Sequence, residues 1–240
     1  RRVLFRSANN PIVILAGDPK QSIYSYRGAT PSYLLGKRNE FGEKHIMTLN
    51  QTHRIPKMIC KLVSSICKPW FTSDAWISDI DGERVDHKIM ILPRSNPILD
   101  AEALKYIEKC LSSIALLVYS DRPQAKLFCR VVKELSNANI PVSDENIAGN
   151  VYVSTIHKSK GREWDTTILI IDDEWLNGTR LKETFAPILY VGLTRCRHSL
   201  IIIHDGSLQT IWKSSDLKIE DMDEIPNRPF RSEEHTSELQ

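Results

Sequence analysis

The sequence predicts an α/β domain built on a mainly parallel sheet. Short apolar runs recur along the chain, segments with helical apolar spacing separate them, and polar clusters follow the runs. Ligands in such sheets sit beyond the carboxyl ends of the strands, so those clusters are where function is sought.

The elements follow in order. Ile12–Ala16 is a short buried-strand run ending in Gly17-Asp18-Pro19, and His45–Leu49 is a second candidate strand. Lys57–Cys67 has helical spacing at Met58, Ile59, Leu62, Val63 and Ile66, and Pro56 suits the first turn. Residues 68–87 carry Trp70, Phe71 and Trp76 among acidic residues and read as an irregular connection with a few buried anchors. Lys88–Leu92 reads as a strand and Ile98–Leu111 as a helix. Ile114–Tyr119 is a strand, after which Ser120-Asp121 caps a helix to about Leu135. Val151–Ile156, Thr166–Ile171 and Ser199–His204 complete the strands, with a helix over Phe185–Arg197 between the last two. No internal repeat or low-complexity tract appears.

Both ends read as foreign to the rest. One back-translation of Arg231–Ser237 has a reverse complement that encodes Arg-Arg-Val-Leu-Phe-Arg-Ser, which is Arg1–Ser7 letter for letter. Two ends encoded by one DNA string on opposite strands look like ligated adapter. Residues 1–7 and 231–240 are therefore set aside as non-native scars, and the native frame is expected to be cut at both ends. Removing their four Arg and three Glu from 32 basic and 30 acidic residues leaves 28 and 27, a net charge of +1. Such a chain is not globally basic, so any nucleic-acid binding must come from a local patch.

Five cysteines, Cys60, Cys67, Cys110, Cys129 and Cys196, form no C-x-x-C pair and no zinc-spaced Cys/His cluster. They read as buried free thiols of a reducing cytosol, and the expected location is cytoplasmic. No apolar run approaches the ~18 residues that would span a membrane.

Four segments carry the chemistry. Gly17-Asp18-Pro19-Lys20-Gln21-Ser22-Ile23-Tyr24-Ser25-Tyr26-Arg27-Gly28-Ala29 resembles the third motif of UvrD/Rep-like superfamily 1 helicases. Leu49–Arg54 resembles their fourth motif, Val153–Asp165 the fifth and Leu189–Arg197 the sixth. They occur in the family's order and span nearly all of residues 11–205. The resemblance implies a RecA-like P-loop NTPase fold: residues 8–40 are expected to end a first RecA-like domain, and residues 41–230 to form a second with a small or absent insertion.

The residue types suit what the resemblance implies. Gln21 follows a tight turn, and a neutral amide can detect a terminal phosphate without adding charge; the family assigns it that role and places Asp18 nearby. A turn amide bonded to its own backbone is the alternative. Arg54 and Arg195 resemble the two arginines that reach the γ-phosphate across a cleft. A guanidinium stabilises charge on the departing phosphoryl group in a fixed geometry; a surface salt bridge is the plainer reading of either. His53 departs from the family's usual Tyr stacked on adenine, and an imidazole stacks with less area. Gly161 makes the turn before Glu163, whose carboxylate the resemblance assigns to the ribose hydroxyl. Tyr24 and Tyr26 offer faces to unpaired bases, and Tyr26 matches a family position that is usually Trp or Phe. Arg27, Thr155, His157, Lys158 and Lys160 supply donors and charge for phosphates.

No Gly-x-x-x-x-Gly-Lys-Ser/Thr segment occurs, nor the acidic pair that holds magnesium. In the family both lie upstream of residue 11, so ATP and Mg²⁺ are the expected cofactors, with the Mg²⁺ ligands in a missing N-terminal part. This segment alone is expected not to hydrolyse ATP. The reading is a piece of an ATP-dependent DNA helicase moving 3′ to 5′ on single-stranded DNA. Its partners are single strands and single/double-strand junctions, with protein partners unassigned. The alternatives are the helicase part of a helicase–nuclease, or a non-catalytic DNA-binding module. Retention of Gln21, Arg54, Glu163 and Arg195 argues against the module, since binding alone needs none of them.

Overall fold

A computed structural model describes residues 14–41, 45–47, 49, 51–57, 59–60, 62–63, 81–82, 88–93, 97–109, 113–119, 125–143, 145, 147, 149–171 and 182–204. Its centre is a six-stranded, all-parallel sheet. The strands are β3 (Lys88–Pro93), β4 (Ile114–Val118), β5 (Val142–Ser143), β6 (Val151–Thr155), β7 (Trp164–Ile171) and β8 (Cys196–His204), in the spatial order β3-β8-β7-β4-β6-β5. A separate two-residue parallel pair joins β1 (Gln51–Thr52) to β2 (Asp81–Gly82).

The central strands are buried over most of their length because both faces are covered. Along β4, Ala115 and Leu117 enter one core, while Ile114, Leu116 and Val118 enter the other. β7 and β8 alternate in the same way, with Leu169 and Leu200 on the first face and Ile168 and Ile201 on the second. The second face is covered by α2 (Ala101–Lys109) and α3 (Ala125–Asn137), through Ala103, Ile107, Leu127, Val131 and Leu135. The first face takes the single-turn helix α4 (Ile156–Ser159) and α5 (Lys182–Leu193). Burying each Leu or Ile side chain stabilises the fold by roughly 1.5–3 kcal/mol, which is why these helices lie flat on the sheet.

The third-motif segment belongs to the first face as well. Ile23 is fully buried in that core beside Ile55, Ile59, Ile156 and Leu189. Two 3-10 turns, Pro19–Gln21 and Ser25–Arg27, flank Ile23, and α1 (Ser32–Phe41) follows them. The segment expected to end a first domain is thus packed on the same core as the sheet.

Several expectations are corrected. Residues 14–16 are not in a strand, and Ile14 and Leu15 are exposed. An apolar run becomes a strand only beside a partner edge, and these residues pair with none among the described residues. His45–Leu49 fails for the same reason: its described residues are outside any strand, and Met47 and Leu49 are each 86% exposed. Part of the connection over 68–87 is regular, since Asp81–Gly82 forms β2; the proposed anchors Trp70, Phe71 and Trp76 lie outside the described residues. The helix expected over Phe185–Arg197 spans Lys182–Leu193 instead, which leaves Pro187 inside it and hands Cys196 and Arg197 to β8. Propensity could not see this, because the strand is fixed by pairing of Cys196 with Trp164. Of the thiols, Cys60 and Cys196 are buried but Cys129 is exposed on α3, and Cys67 and Cys110 lie outside the described residues. Burial pushes the Cys196 thiol up to about 12, so it stays protonated and unreactive. Among the described residues no helix is long and apolar enough to cross a membrane.

Gly192 shows how closely α5 approaches the sheet. A Cβ there would lie 3.0 Å from Leu169 Cδ1 and 3.2 Å from Ile156 Cδ1. Gly192→Ala is therefore expected to destabilise the chain by about 1–3 kcal/mol through overpacking, despite the better helix propensity of Ala. Denaturant unfolding measures this; an unchanged or raised midpoint would mean that the Leu169 and Ile156 methyl groups give way to the added Cβ.

Candidate functional site

The site residues fall into two groups, and sheet register decides which goes where. Val118 of β4 pairs with Thr155 of β6, the last residue of each strand. Thr155 and the residues after it therefore stand at the carboxyl edge. Trp164 pairs with Cys196 at the start of β7 and β8, so Glu163 and Arg195 stand at the amino ends. The expectation that the polar clusters follow strands holds for the first group and fails for the second. The reason is topological: β6 and β7 flank β4, so residues 156–163 must cross β4 while running from the carboxyl edge to the amino edge.

At the amino-end group, Arg54 and Arg195 converge on Thr194. Arg54 Nη2 donates to the Thr194 carbonyl at 3.1 Å, and Arg195 Nη2 donates to Thr194 Oγ1 at 3.2 Å. Arg195 also donates from Nε to Val191 O at 2.9 Å and from Nη1 to Arg162 O at 3.2 Å. It thus satisfies a late carbonyl of α5, where a cation is favoured by the helix dipole. It is only 2% exposed. Burial, and then the charge of Arg54, lower its pKa to about 10, which leaves it cationic at neutral pH.

Glu163 lies between two guanidiniums. Its Oε2 is 3.4 Å from Arg54 Nη1. Its Oε1 accepts from Arg197 Nε at 2.9 Å and from Arg197 Nη2 more closely. The Arg197 hydrogen bond is the main cause holding the Glu163 carboxyl below its usual range, with the charges of Arg197 and Arg54 adding to it against the opposing effect of burial. Sequence reasoning missed Arg197 as a site residue; it stood inside the sixth motif, but nothing in that pattern names its partner. His53 is exposed beside Arg54, and Gly161 takes a left-handed φ of 87° in the turn before Glu163.

Gln21 and Asp18 meet as expected: Gln21 Nε2 donates to Asp18 Oδ2 at 2.8 Å, so this amide is bonded to a carboxylate and not to its own backbone. Asp18 also caps the turn by accepting from Lys20 N at 2.9 Å. Lys160 connects this pair to both groups. Its Nζ donates to the Gln21 carbonyl at 2.6 Å and lies 5.3 Å from the Tyr24 ring centroid. Burial lowers its pKa, Asp18 raises it and Arg195 lowers it.

At the carboxyl edge the aromatic residues gather around His157. Its ring centroid is 5.9 Å from Tyr24 and 5.7 Å from Tyr26. His157 Nε2 is 3.1 Å from the Ile23 carbonyl, and the His157 carbonyl accepts from the Tyr24 hydroxyl at 3.2 Å. Tyr26 is 65% exposed, with the Arg27 guanidinium 5.5 Å from its ring. Thr155 is buried and caps α4 by accepting from Lys158 N at 3.4 Å, while the Lys158 side chain is exposed. Tyr119, which sequence reasoning passed over, follows β4 and sets its ring 6.3 Å from His157. Together these residues offer exposed ring surface beside cations, suited to unpaired bases and phosphates.

Among the described residues no three His, Cys, Asp or Glu side chains gather as a metal site.

Comparison with known proteins agrees with both parts of the chain. The model of the UvrD/REP helicase N-terminal domain matches residues 2–42, and that of the UvrD-like helicase C-terminal domain matches residues 150–203. The first match begins inside the segment read as adapter. No curated protein matches the chain. Among solved structures, the C-terminal domain of a possible DNA helicase from Lactobacillus plantarum WCFS1 is 18% identical over 65% of this chain and 88% of that one, with a TM-score of 0.45. The PRRSV nsp10 helicase is 13% identical over 67% of this chain and 25% of that one, with a TM-score of 0.31.

The depressed Glu163 pKa has a sign that can be tested. A carboxyl lowered by folding contributes stability in full above its unfolded value, and that contribution is lost as pH falls through the folded value. Arg197→Ala is expected to raise the Glu163 midpoint toward the ordinary glutamate value and to remove this part of the acid-side loss. Carboxyl carbon NMR titration reads the midpoint; one that Arg197→Ala leaves in place would show that Arg197 does not hold this carboxylate.

Proposed function

We propose that the chain, two segments of which match UvrD/REP helicase domain models, is part of an ATP-dependent DNA helicase that moves 3′ to 5′ on single-stranded DNA. Its amino-end group serves ATP and its carboxyl-edge group serves the strand. The observation that carries the reading is the convergence of Arg54 and Arg195 on Thr194. Two like charges drawn together, one of them with its pKa lowered by burial and then by the other, fit a polyanion better than they fit each other.

In this reading Arg54 and Arg195 are the arginine fingers that stabilise charge developing on the transferred phosphoryl group. Gln21, held by Asp18, senses the terminal phosphate through its amide. His53 stacks on the base of the nucleotide, and Glu163, beyond the Gly161 turn, accepts from the ribose. Magnesium, where bound, neutralises phosphate charge, and its ligands are assigned to residues other than these. Tyr24 and Tyr26 stack bases of the single strand or of a junction. Arg27, Thr155, His157, Lys158 and Lys160 contact its phosphates without reading sequence. Residues 8–40 are read as the end of a first RecA-like domain and 41–230 as the second.

The fingers and the platform separate in experiment. In the full-length helicase, Arg54→Ala is expected to lower DNA-stimulated ATP hydrolysis by roughly 10³-fold or more while single-strand binding stays nearly intact. Because Arg195 is buried, Arg195→Lys is the fair companion, with the same loss expected. Tyr26→Ala should instead weaken single-strand binding by about tenfold. Unchanged turnover in both arginine variants would discard the finger assignment.

A further inference from the structure

We infer that Arg197 is a positioning residue: it occupies one oxygen of Glu163 and so prevents Arg54 from closing a two-pronged pair with that carboxylate, leaving the Arg54 guanidinium available to a phosphate. This rests on the functional reading above and names a residue that reading does not use.

The first observation is how the carboxylate is divided. An isolated arginine–carboxylate pair prefers two parallel hydrogen bonds, one to each oxygen. Here Arg197 directs both Nε and Nη2 at Oε1, and Arg54 reaches only Oε2, at 3.4 Å. Arg54 is consequently under-engaged. Its Nη2 donates to the Thr194 carbonyl, and its buried Nε has no acceptor among the described residues.

The second observation is the backbone that aims Arg197. Between β7 and β8 the register shifts: Trp164 pairs with Cys196, but Thr166 pairs with Ser199. Two residues of β8, Arg197 and His198, therefore stand against Asp165 alone. Such a bulge is uncommon in parallel sheets, and bulges re-aim side chains beside functional sites. Arg197 turns to Glu163, while His198 Nε2 lies 3.7 Å from Asp165 Oδ1. In an unbroken ladder these two neighbours would not both be placed opposite one partner residue.

The third is charge. Arg54 and Arg197 both bond this one carboxylate, and Arg195 feels its charge from farther off, so the group carries an excess of positive charge. With Arg197 removed, Glu163 would turn both oxygens to Arg54 and neutralise the very cation that the phosphate needs.

The test uses the 240-residue chain and sodium tripolyphosphate, which has no ribose for Glu163 to hold. Binding is followed by NMR of the arginine Nε–Hε resonances. Arg197→Ala is expected to weaken tripolyphosphate about threefold to fivefold, the scale of a half-exposed ion pair, and to shift the Arg54 resonance before any anion is added. In a Glu163→Gln background the same substitution should cause no further loss, because there is no carboxylate left to misdirect. Arg197→Lys, which keeps the charge and one donor group, should restore part of the affinity. An equal loss in both backgrounds would overturn the inference, since it would mean that Arg197 acts only by its own charge. Tripolyphosphate binding that Arg197→Ala leaves unchanged would also overturn it while sparing the functional reading. A wild-type chain that takes no tripolyphosphate would overturn the inference, since Arg54 would then not be available to a phosphate, while the functional reading would still stand or fall on the turnover of the arginine variants.

Discussion

The arrangement depends on one constraint, the short crossing from β6 to β7. Parallel strands of one sheet are usually joined by a dozen or more residues and a full helix. Here residues 156–163 do it with a single helical turn while passing over β4. Little length is spare, so nearly every residue of the crossing has a fixed height. Thr155 must cap the turn, Ile156 must enter the core, Gly161 must take its left-handed φ, and Glu163 must arrive at the foot of β7. One short segment thereby spans both edges of the sheet, and the group proposed for nucleotide is tied to the group proposed for DNA.

Packing around that crossing explains the contacts of the third motif. Ile23 is buried against Ile156 and the residues of α5, and this anchors the flanking turns. The polar contacts are then short-range consequences: His157 reaches the Ile23 carbonyl, Lys160 the Gln21 carbonyl, and Tyr24 the carbonyl of His157. Lys160 touches the backbone of the residue proposed to sense phosphate and the ring of one proposed to stack a base. A shift in either neighbour must be felt by the other, because a donor at 2.6 Å has little slack.

Electrostatics works against the fold at the second group and in favour of a ligand. Arg54 and Arg197 bond Glu163, while the more buried Arg195 has its donors met by the carbonyls of Val191 in α5 and of Arg162. Those hydrogen bonds offset part of the cost of burying the cation, while the less engaged Arg54 keeps a buried Nε with no acceptor among the described residues.

The sequence by itself determined the five longer strands of the sheet and named the residues from which a site was sought. Apolar runs as continuous as Ile114–Val118 and Thr166–Ile171 suit only a strand covered on both faces, and the four motifs marked Gln21, Arg54, Glu163 and Arg195 before any contact was known. Only the tertiary structure decided the rest, because it depends on pairing between distant segments. Ile14 and Leu15 are as apolar as a strand, yet pair with no edge among the described residues. Cys196 and Arg197 looked helical, yet join β8 because Trp164 lies opposite. Arg197 and Tyr119 each needed a neighbour more than thirty residues away, Glu163 for one and His157 for the other, to become part of the site. Periodicity reports which way a side chain faces from its own element; what it meets there is set by register and crossover, which local sequence does not encode.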